Sequence, residues 1–306
     1  LNESFANMME YVSVDAIEPS WNIFEDFQTG GLPLALKRDA TDGVQSVHVE
    51  VKHPDEINTL FDPAIVYAKG SRLMHMLRRW LGDDDFRAGL KIYFEKHQYG
   101  NTIGRDLWNA LSEASGKDVA AFMDAWLEQP GYPVVTAEVV DDTLVLSQKQ
   151  FFIGENVDQN RIWPIPLNSN WKGLLDTLTD ARLEIPNYSQ LAADNEVAFR
   201  LNTENTAHYI TNYKGELLNT VLDQLTELDT VSKLQVIQER RLLAESGEIS
   251  YAELVPLLTK LADETSYLVA EAISQVVDGL DVFLEEGSQA QAQFKALISH
   301  LMQKNY

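Results

Sequence analysis

The spacing of apolar residues changes twice along this chain, and that change limits the folds it can adopt. Up to about residue 131 the apolar residues recur at helical spacing, then they alternate with polar residues to about residue 205, and afterwards the helical period returns. Because helices and strands bury different faces, this order predicts separate layers. We predict an α + β multidomain fold in three consecutive blocks, at residues 1–131, 132–205 and 206–306.

The first block has a helical pattern that proline and glycine interrupt. The first predicted helix begins at Glu3 and stops before Pro19, and a second over residues 22–36 is weakened by internal glycine and proline. Residues 44–51 suit either a strand or a loop. Further helices are predicted over residues 63–81, over 83–97 with Asp83–Asp85 at its cap and Phe86, Leu90 and Phe94 inward, before Gly116, and after Asp118.

The middle block has the alternating pattern of β-strands. Val134–Val140 and Thr143–Leu146 flank the turn residues Asp141 and Asp142, which predicts a β-hairpin. Several short strands separated by turns are typical of a β-sandwich, here of about 70 residues. The further predicted strands are at residues 150–153, 162–167, 181–185 and 197–201.

The third block returns to helices joined by short connections. Antiparallel helices of this kind pack as a bundle or as one layer of a solenoid. The helical pattern continues to Tyr306 with no polar capping unit, so we expect this helical array to be truncated. The predicted helices are at residues 217–228, 231–244, 251–261, 267–280 and 290–303.

The formal net charge of −23 limits the partners of the chain. Nucleic acids and anionic membrane surfaces attract basic patches, so we predict no nucleic-acid partner and no membrane partner. An acidic surface suits solubility in a crowded cytoplasm, which is the location we predict. The chain has no cysteine, and therefore any metal site must use histidine and carboxylate ligands.

The histidines do not form a metal-binding pattern. A hydrolytic zinc site needs three protein ligands, and the compact source of two of them is His-Glu-x-x-His on a helix. None of the six histidines has a second histidine four residues later. His48 and His53 are five residues apart in an extended stretch, which is poor geometry for one metal ion. We therefore expect no complete metal site within this chain.

Three residues of the first block have uncertain roles when their chemistry alone is considered. A glutamate such as Glu3 on a mostly apolar helix is usually solvated, and an aromatic residue such as Tyr67 near a helix start usually packs. Gly70 lies inside the same predicted helix, where glycine costs about 1 kcal/mol relative to alanine. A glycine at such a position indicates that another segment approaches closely.

Two segments resemble a known family. Leu1–Ala6, with the sequence Leu-Asn-Glu-Ser-Phe-Ala, resembles the segment of the M1 family of zinc aminopeptidases (the bacterial aminopeptidase N type) that carries the third zinc ligand. The resemblance implies that Glu3 is a metal ligand, with Ser4 where glycine is common. Val66–Gly70 is similar to the family's Tyr-x-Lys-Gly segment, whose tyrosine hydrogen-bonds the developing oxyanion. It implies that Tyr67 is a catalytic residue.

Other segments resemble the same family in the same order along the chain. The resemblance implies the helical remainder of a thermolysin-like catalytic domain, then a small β-sandwich domain, then a truncated α-helical superhelix. The segments that carry it are His53–Ile57, Met74–Leu77 and Trp126–Pro133 for the catalytic domain, Trp163–Leu167 for the sandwich and Leu228–Gly247 for the superhelix.

Two elements of the family do not occur in this sequence: His-Glu-x-x-His, and the Gly-x-Met-Glu-Asn element that binds the α-amino group of the substrate. The resemblance implies the C-terminal portion of a metalloaminopeptidase that uses Zn²⁺ and removes N-terminal amino acids from peptides with a free N-terminus. We expect this portion alone to be inactive and to bind Zn²⁺ weakly, because one carboxylate is not a three-ligand site. The alternative is a non-catalytic binding or scaffold protein of the same architecture.

Overall fold

Helices dominate the first block of the computed structural model, which describes residues 2–302. The helix predicted from Glu3 is present and ends at Ile17, two residues before Pro19. The predicted segment 63–81 starts as a π-helical turn, Pro63–Lys69, and continues as an α-helix. The helices are α1 (Asn2–Ile17), α2 (Ile23–Thr29), α3 (Gly31–Asp39), α4 (Ile57–Leu60), α5 (Gly70–Leu81), α6 (Asp83–His97), α7 (Gly104–Ser115) and α8 (Val119–Glu128).

The structure corrects several details of this block. The segment predicted as one weak helix over residues 22–36 is two helices, because α2 ends and α3 begins at Gly30. Of the two alternatives for residues 44–51, the structure has the loop. Phe94, predicted to face inward, is 59% exposed. The N-cap residue of α6 is Gly82 and not one of Asp83–Asp85, but these three aspartates lie in its first turn, where the helix dipole favours negative charge.

The predicted hairpin is confirmed. Strands β1 (Pro133–Val140) and β2 (Thr143–Gln150) pair antiparallel, with Val140 opposite Thr143. Asp141 and Asp142 both have positive φ, at 47° and 62°, as a two-residue turn with right-handed strand twist requires. The remaining strands are β3 (Ile165–Pro166), β4 (Thr177–Leu178), β5 (Arg182–Pro186) and β6 (Ile210–Tyr213).

The strands form a four-stranded mixed sheet and a two-stranded ribbon. The sheet has the order β5-β2-β1-β6, with β6 parallel to β1, and β3 pairs with β4. The strand predicted at residues 197–201 is wrong, because those residues form no strand, and only Gln150 of the segment 150–153 lies in β2. Strand β6 was not predicted, because all four of its residues are buried and do not alternate.

Helices return after β6, as the sequence predicts. The segment 217–228 ends its α-helix early and closes with the 3₁₀ turn Leu225–Glu227, and residues 251–254 are a 3₁₀ turn before a short helix. The end of the last predicted helix, from Gln303 to Tyr306, lies outside the described residues. The helices are α9 (Tyr188–Ala193), which precedes β6, and α10 (Gly215–Asp223), α11 (Thr230–Glu245), α12 (Val255–Lys260), α13 (Tyr267–Asp281) and α14 (Gln289–Met302).

One contiguous apolar core connects all three blocks, from Met8 in α1 to Phe294 in α14. Polar contacts also join α11 to the first block, since the Gln238 side chain donates a 2.6 Å hydrogen bond to the carbonyl of Gln28. Within residues 2–302, no helix combines the length and the apolar character needed to cross a membrane.

The N-cap of α8 gives a test of local stability. The Asp118 carboxylate accepts a 3.0 Å hydrogen bond from the backbone N–H of Ala121. We expect Asp118→Ala to lower the free energy of unfolding by about 1 kcal/mol, measured by urea denaturation. The matched control is Asp118→Asn, which keeps an acceptor and should lose less. Equal losses in the two variants would contradict the capping role.

Candidate active site

Glu3 occupies the first turn of α1, where its carboxylate is half-buried. Negative charge is favoured at this end of a helix because the backbone N–H groups there are unpaired. The next residue, Ser4, is fully buried, as is Met8 one turn later. Helix α1 is therefore held to the core by one face while the adjacent face presents Glu3.

Tyr67 lies on the π-helical turn Pro63–Lys69. Pro63 begins this turn, and the Asp62 carboxylate caps it by accepting from the Ala64 N–H at 3.0 Å. Gly70 N–H donates to the Ile65 carbonyl, five residues earlier, as in a π-helix. The turn buries Ala64, Ile65 and Ala68 but leaves Tyr67 36% exposed. Single π-helical turns are frequent at functional sites.

The two elements meet at a contact between Ser4 and the π-helical turn. The Ser4 hydroxyl donates a 2.8 Å hydrogen bond to the carbonyl of Val66. A Cβ atom at Gly70 would lie 2.1 Å from Ser4 Oγ and 2.7 Å from Ser4 Cβ. Only a residue without a side chain fits there, so the close approach that Gly70 indicated in the sequence is confirmed.

Glu3 and Tyr67 face each other across this contact. A hydrogen bond between the Tyr67 hydroxyl and the Glu3 carboxylate raises the pKa of Tyr67 above its ordinary value, and some desolvation and the charge of Glu3 act in the same direction. Tyr67 stays protonated at neutral pH and donates to Glu3. The structure thus brings together the two residues to which the sequence gives chemical roles.

Within residues 2–302, Glu3 does not belong to a cluster of three metal ligands. Among the described residues, no group of three or more histidine, aspartate or glutamate side chains is arranged to hold a metal ion. His48 contacts Glu128, with 3.8 Å between Nδ1 and Oε1, and His53 contacts Asp55. Neither pair includes Glu3.

Lys69, two residues after Tyr67, belongs to a buried charged cluster. Its ammonium lies 2.8 Å from Asp39 Oδ2 and donates to the carbonyl of Gly131 at 3.0 Å. Asp39 Oδ1 accepts from the Gly131 N–H at 3.0 Å, and Oδ2 lies 3.1 Å from His208 Nε2. We name Asp39, Lys69, Gly131 and His208 the Asp39 cluster. The side chains of Asp39, Lys69 and His208 have no solvent exposure.

The protonation states in the Asp39 cluster follow from burial and pairing. Burial by itself would raise the pKa of Asp39, but the Lys69 ammonium and the His208 hydrogen bond outweigh it and hold that pKa below its usual range. Burial lowers the pKa of His208 to about 4, so this imidazole is neutral at pH 7. Because an ionised Asp39 only accepts, His208 Nε2 carries the proton and donates to it.

A cavity of about 380 Å³ lies between α1, α2, α5 and the start of α11. Arg72, which lines it, is buried, and its guanidinium donates to the carbonyls of Asn205 and Ala207 at 2.7 and 2.6 Å. Burial lowers the pKa of Arg72 to about 9. Neither Glu3 nor Tyr67 is among the residues that line the cavity, so it is separate from the Glu3–Tyr67 face.

Two family models match this chain. Residues 1–126 match the Peptidase family M1 domain, and residues 198–306 match the ERAP1-like C-terminal domain. The chain is 70% identical over its whole length to Aminopeptidase N of Lactococcus lactis subsp. lactis, of which it covers 36%. The first 126 residues of the chain thus match the M1 peptidase family. M1 peptidases generally use zinc.

More distant relatives also match nearly the whole length of this chain. Aminopeptidase N of Lactobacillus delbrueckii subsp. lactis is 50% identical over 98% of the chain and 36% of the relative. Tricorn protease-interacting factor F2 of Thermoplasma volcanium is 34% identical over 92% of the chain and 34% of the relative. The chain therefore spans about a third of the length of the curated relatives it matches.

Sequence analysis missed Asp39 and His208. One signal was present in the sequence: Lys69 follows Val66 and precedes Leu73 on the apolar stripe of its helix, and a lysine on a buried face needs a buried partner. That signal does not say which acidic residue is the partner. Asp39, at the C-terminal end of α3, is identified only by the folded structure.

The contact between Ser4 and Gly70 can be tested by a pair of substitutions. We expect Gly70→Ala to lower the free energy of unfolding by about 1–3 kcal/mol, because the new methyl group overlaps Ser4 Oγ. The second change, Ser4→Gly, removes the overlapping atoms, and the double variant should recover most of that loss in urea denaturation. Losses that simply add would contradict a direct contact.

The Asp39 cluster also predicts a pH dependence of stability. The pKa of His208 is about 4 in the folded protein and about 6.5 when unfolded, so the unfolded chain binds a proton first. The stabilisation is complete above about pH 6.5 and is lost toward pH 4, at up to about 1.4 kcal/mol per pH unit for one histidine. The lowered pKa of Asp39 extends the loss to lower pH.

The measurement is urea denaturation between pH 4.5 and 8, values chosen to bracket this titration. His208→Gln keeps a donor for Asp39 but cannot titrate, so it should reduce the slope by the share of one histidine. Part of the slope remains, because burial also lowers the pKa of His75 to about 3. The exposed His53 offers the control His53→Gln, which should leave the slope unchanged. If both variants keep the wild-type slope, the assignment to His208 is wrong.

Proposed function

We propose that this chain supplies the C-terminal portion of a zinc aminopeptidase that removes N-terminal amino acids from peptides. The observation that carries the proposal is the 2.8 Å hydrogen bond from Ser4 to the carbonyl of Val66, which joins the helix that carries Glu3 to the turn that carries Tyr67. The 70% identical relative is named Aminopeptidase N, which supports the reaction class. The substrates would be peptides with a free N-terminus.

Glu3 is the proposed metal ligand. Its carboxylate is half-buried on an accessible face and has the oxygen donors that zinc accepts. A bound zinc ion would polarise the scissile carbonyl and lower the pKa of bound water. Because the described residues contain no cluster of three metal ligands, Glu3 fits one position of such a site, and two ligands and the general base would come from outside this chain.

Tyr67 is the proposed transition-state stabiliser. Its side chain is partly exposed, and the neighbouring Glu3 carboxylate raises the pKa of its hydroxyl, which therefore carries a proton at neutral pH. The same donor, held on a turn whose neighbours are buried, can stabilise the oxyanion that develops when a peptide carbonyl is attacked. Fixing the donor beforehand avoids reorganisation during the reaction, and therefore the stabilisation is larger than water would provide.

The order of blocks supports the proposed domain assignment: residues 1–131 as the rest of a thermolysin-like catalytic domain, 132–205 as a β-sandwich domain and 206–306 as the start of a superhelix. Strand β6 lies beyond residue 205 but pairs with β1, so the second and third domains would share an extensive contact. The net charge of −23 supports a cytoplasmic protein without nucleic-acid or membrane partners.

The test uses the longer protein that contains this chain together with the His-Glu-x-x-His segment. We expect Tyr67→Phe to lower kcat about 100- to 1,000-fold with little change in KM, because the donor acts mainly in the transition state. Glu3→Gln should lower the bound zinc measured by atomic absorption. Hydrolysis of aminoacyl chromogenic substrates gives the rates, and the isolated 306-residue chain should be inactive.

Tyr99→Phe is the matched control, because Tyr99 is fully exposed on the surface. This variant should keep wild-type rates. A Tyr67→Phe variant that changes only KM would remove Tyr67 from its proposed role. A longer protein with neither zinc nor peptidase activity would support the non-catalytic scaffold alternative.

A further inference from the structure

We propose that Asp39 is the positioning residue for Tyr67, holding the π-helical turn so that the phenol stays opposite Glu3. The proposal rests on the proposed role of Tyr67 and deepens it. Asp39 touches neither Glu3 nor Tyr67 in the described contacts, and it acts through Lys69.

Asp39 uses both of its oxygens within the cluster. Oδ1 accepts from Lys69 Nζ and from the Gly131 N–H, each at 3.0 Å, and Oδ2 contacts Lys69 Nζ at 2.8 Å and His208 Nε2 at 3.1 Å. These partners come from the π-helical turn, the loop after α8 and the segment before β6. A carboxylate bonded from three directions has a defined position, and so has the ammonium that it binds.

The π-helical turn is held on both sides of Tyr67. On the N-terminal side, the Val66 carbonyl accepts from Ser4. On the C-terminal side, the Lys69 ammonium is bound by Asp39 and by the carbonyl of Gly131. Rotation of the turn would move Lys69 away from Asp39 and leave a buried cation unpaired, which is costly. Tyr67 can therefore be exposed and still be held in position.

An aspartate meets this requirement where a neutral residue would not. The Asp39 carboxylate is the counter-ion of the buried Lys69 ammonium. An asparagine would be uncharged and would offer one acceptor oxygen in place of two. The Ser4–Val66 hydrogen bond fixes only the distance between the π-helical turn and α1. The Asp39 cluster connects it to distant segments of the fold, so loss of Asp39 should loosen the turn specifically.

The readout is the order of the Tyr67 ring in this chain, measured by ¹³C NMR relaxation with ring-labelled tyrosine. In wild type the turn is held at Val66 and at Lys69. We expect Asp39→Asn to lower the order parameter of the Tyr67 ring, because the turn is no longer held at Lys69. Tyr251, in the third block, serves as the internal control, and its order parameter should not change.

Asp39→Asn leaves Lys69 without a counter-ion and could prevent folding, so the double variant Asp39→Asn/Lys69→Met is measured as well. It removes both buried charges and leaves none unpaired. The same loss of order at the Tyr67 ring, with Tyr251 unchanged, is expected. A wild-type order parameter for Tyr67 in either folded variant would overturn the proposal.

In the longer enzyme, the double variant should lower kcat about 100-fold and leave KM within about twofold, as expected for a displaced catalytic group. An unchanged kcat would overturn the positioning role. Failure of the proposed function is distinguishable, since a wild-type longer protein without peptidase activity would contradict that function, whereas the NMR relaxation measurement does not depend on activity.

Discussion

The buried ion pair between Asp39 and Lys69 is the interaction on which the candidate site depends. Removing two charges from water is expensive, and such a pair is stable only when its remaining hydrogen bonds are satisfied. Here Gly131 supplies both a donor and an acceptor, and a neutral His208 supplies a second donor to Asp39. The pair therefore links four segments: α3, the π-helical turn that carries Tyr67, the loop after α8 and the segment before β6.

The contact between Ser4 and Gly70 complements this ion pair. It sets how closely α1 approaches the π-helical turn, and the absence of a side chain at Gly70 makes that distance possible. The buried neighbours of Glu3 and Tyr67 thus fix how closely the two elements that carry them approach. In such an arrangement Glu3 and Tyr67 can remain accessible, because packed residues in the interior hold their backbone in position.

Much of the secondary structure could be predicted from the sequence because its signals are local. Helical spacing, the turn at Asp141 and Asp142, and the cap at Asp118 all depend on residues that are close in sequence. The failures involve longer distances. Strand β6 is fully buried and has no alternation, and it exists because β1 offers a parallel edge. Phe94 lies at a position that the helical period of α6 predicts to be buried, but its side chain is exposed.

For the site, the sequence by itself predicted chemical roles for Glu3 and Tyr67, because their segments resemble those of the family. It also indicated that another segment lies close to Gly70, because glycine inside a helix lowers stability. Only the tertiary structure decided that the approaching group is Ser4 and that the buried partner of Lys69 is Asp39. The physical reason is that a close contact or a buried charge requires a partner but does not specify it. The partner is chosen by how segments far apart in sequence pack together.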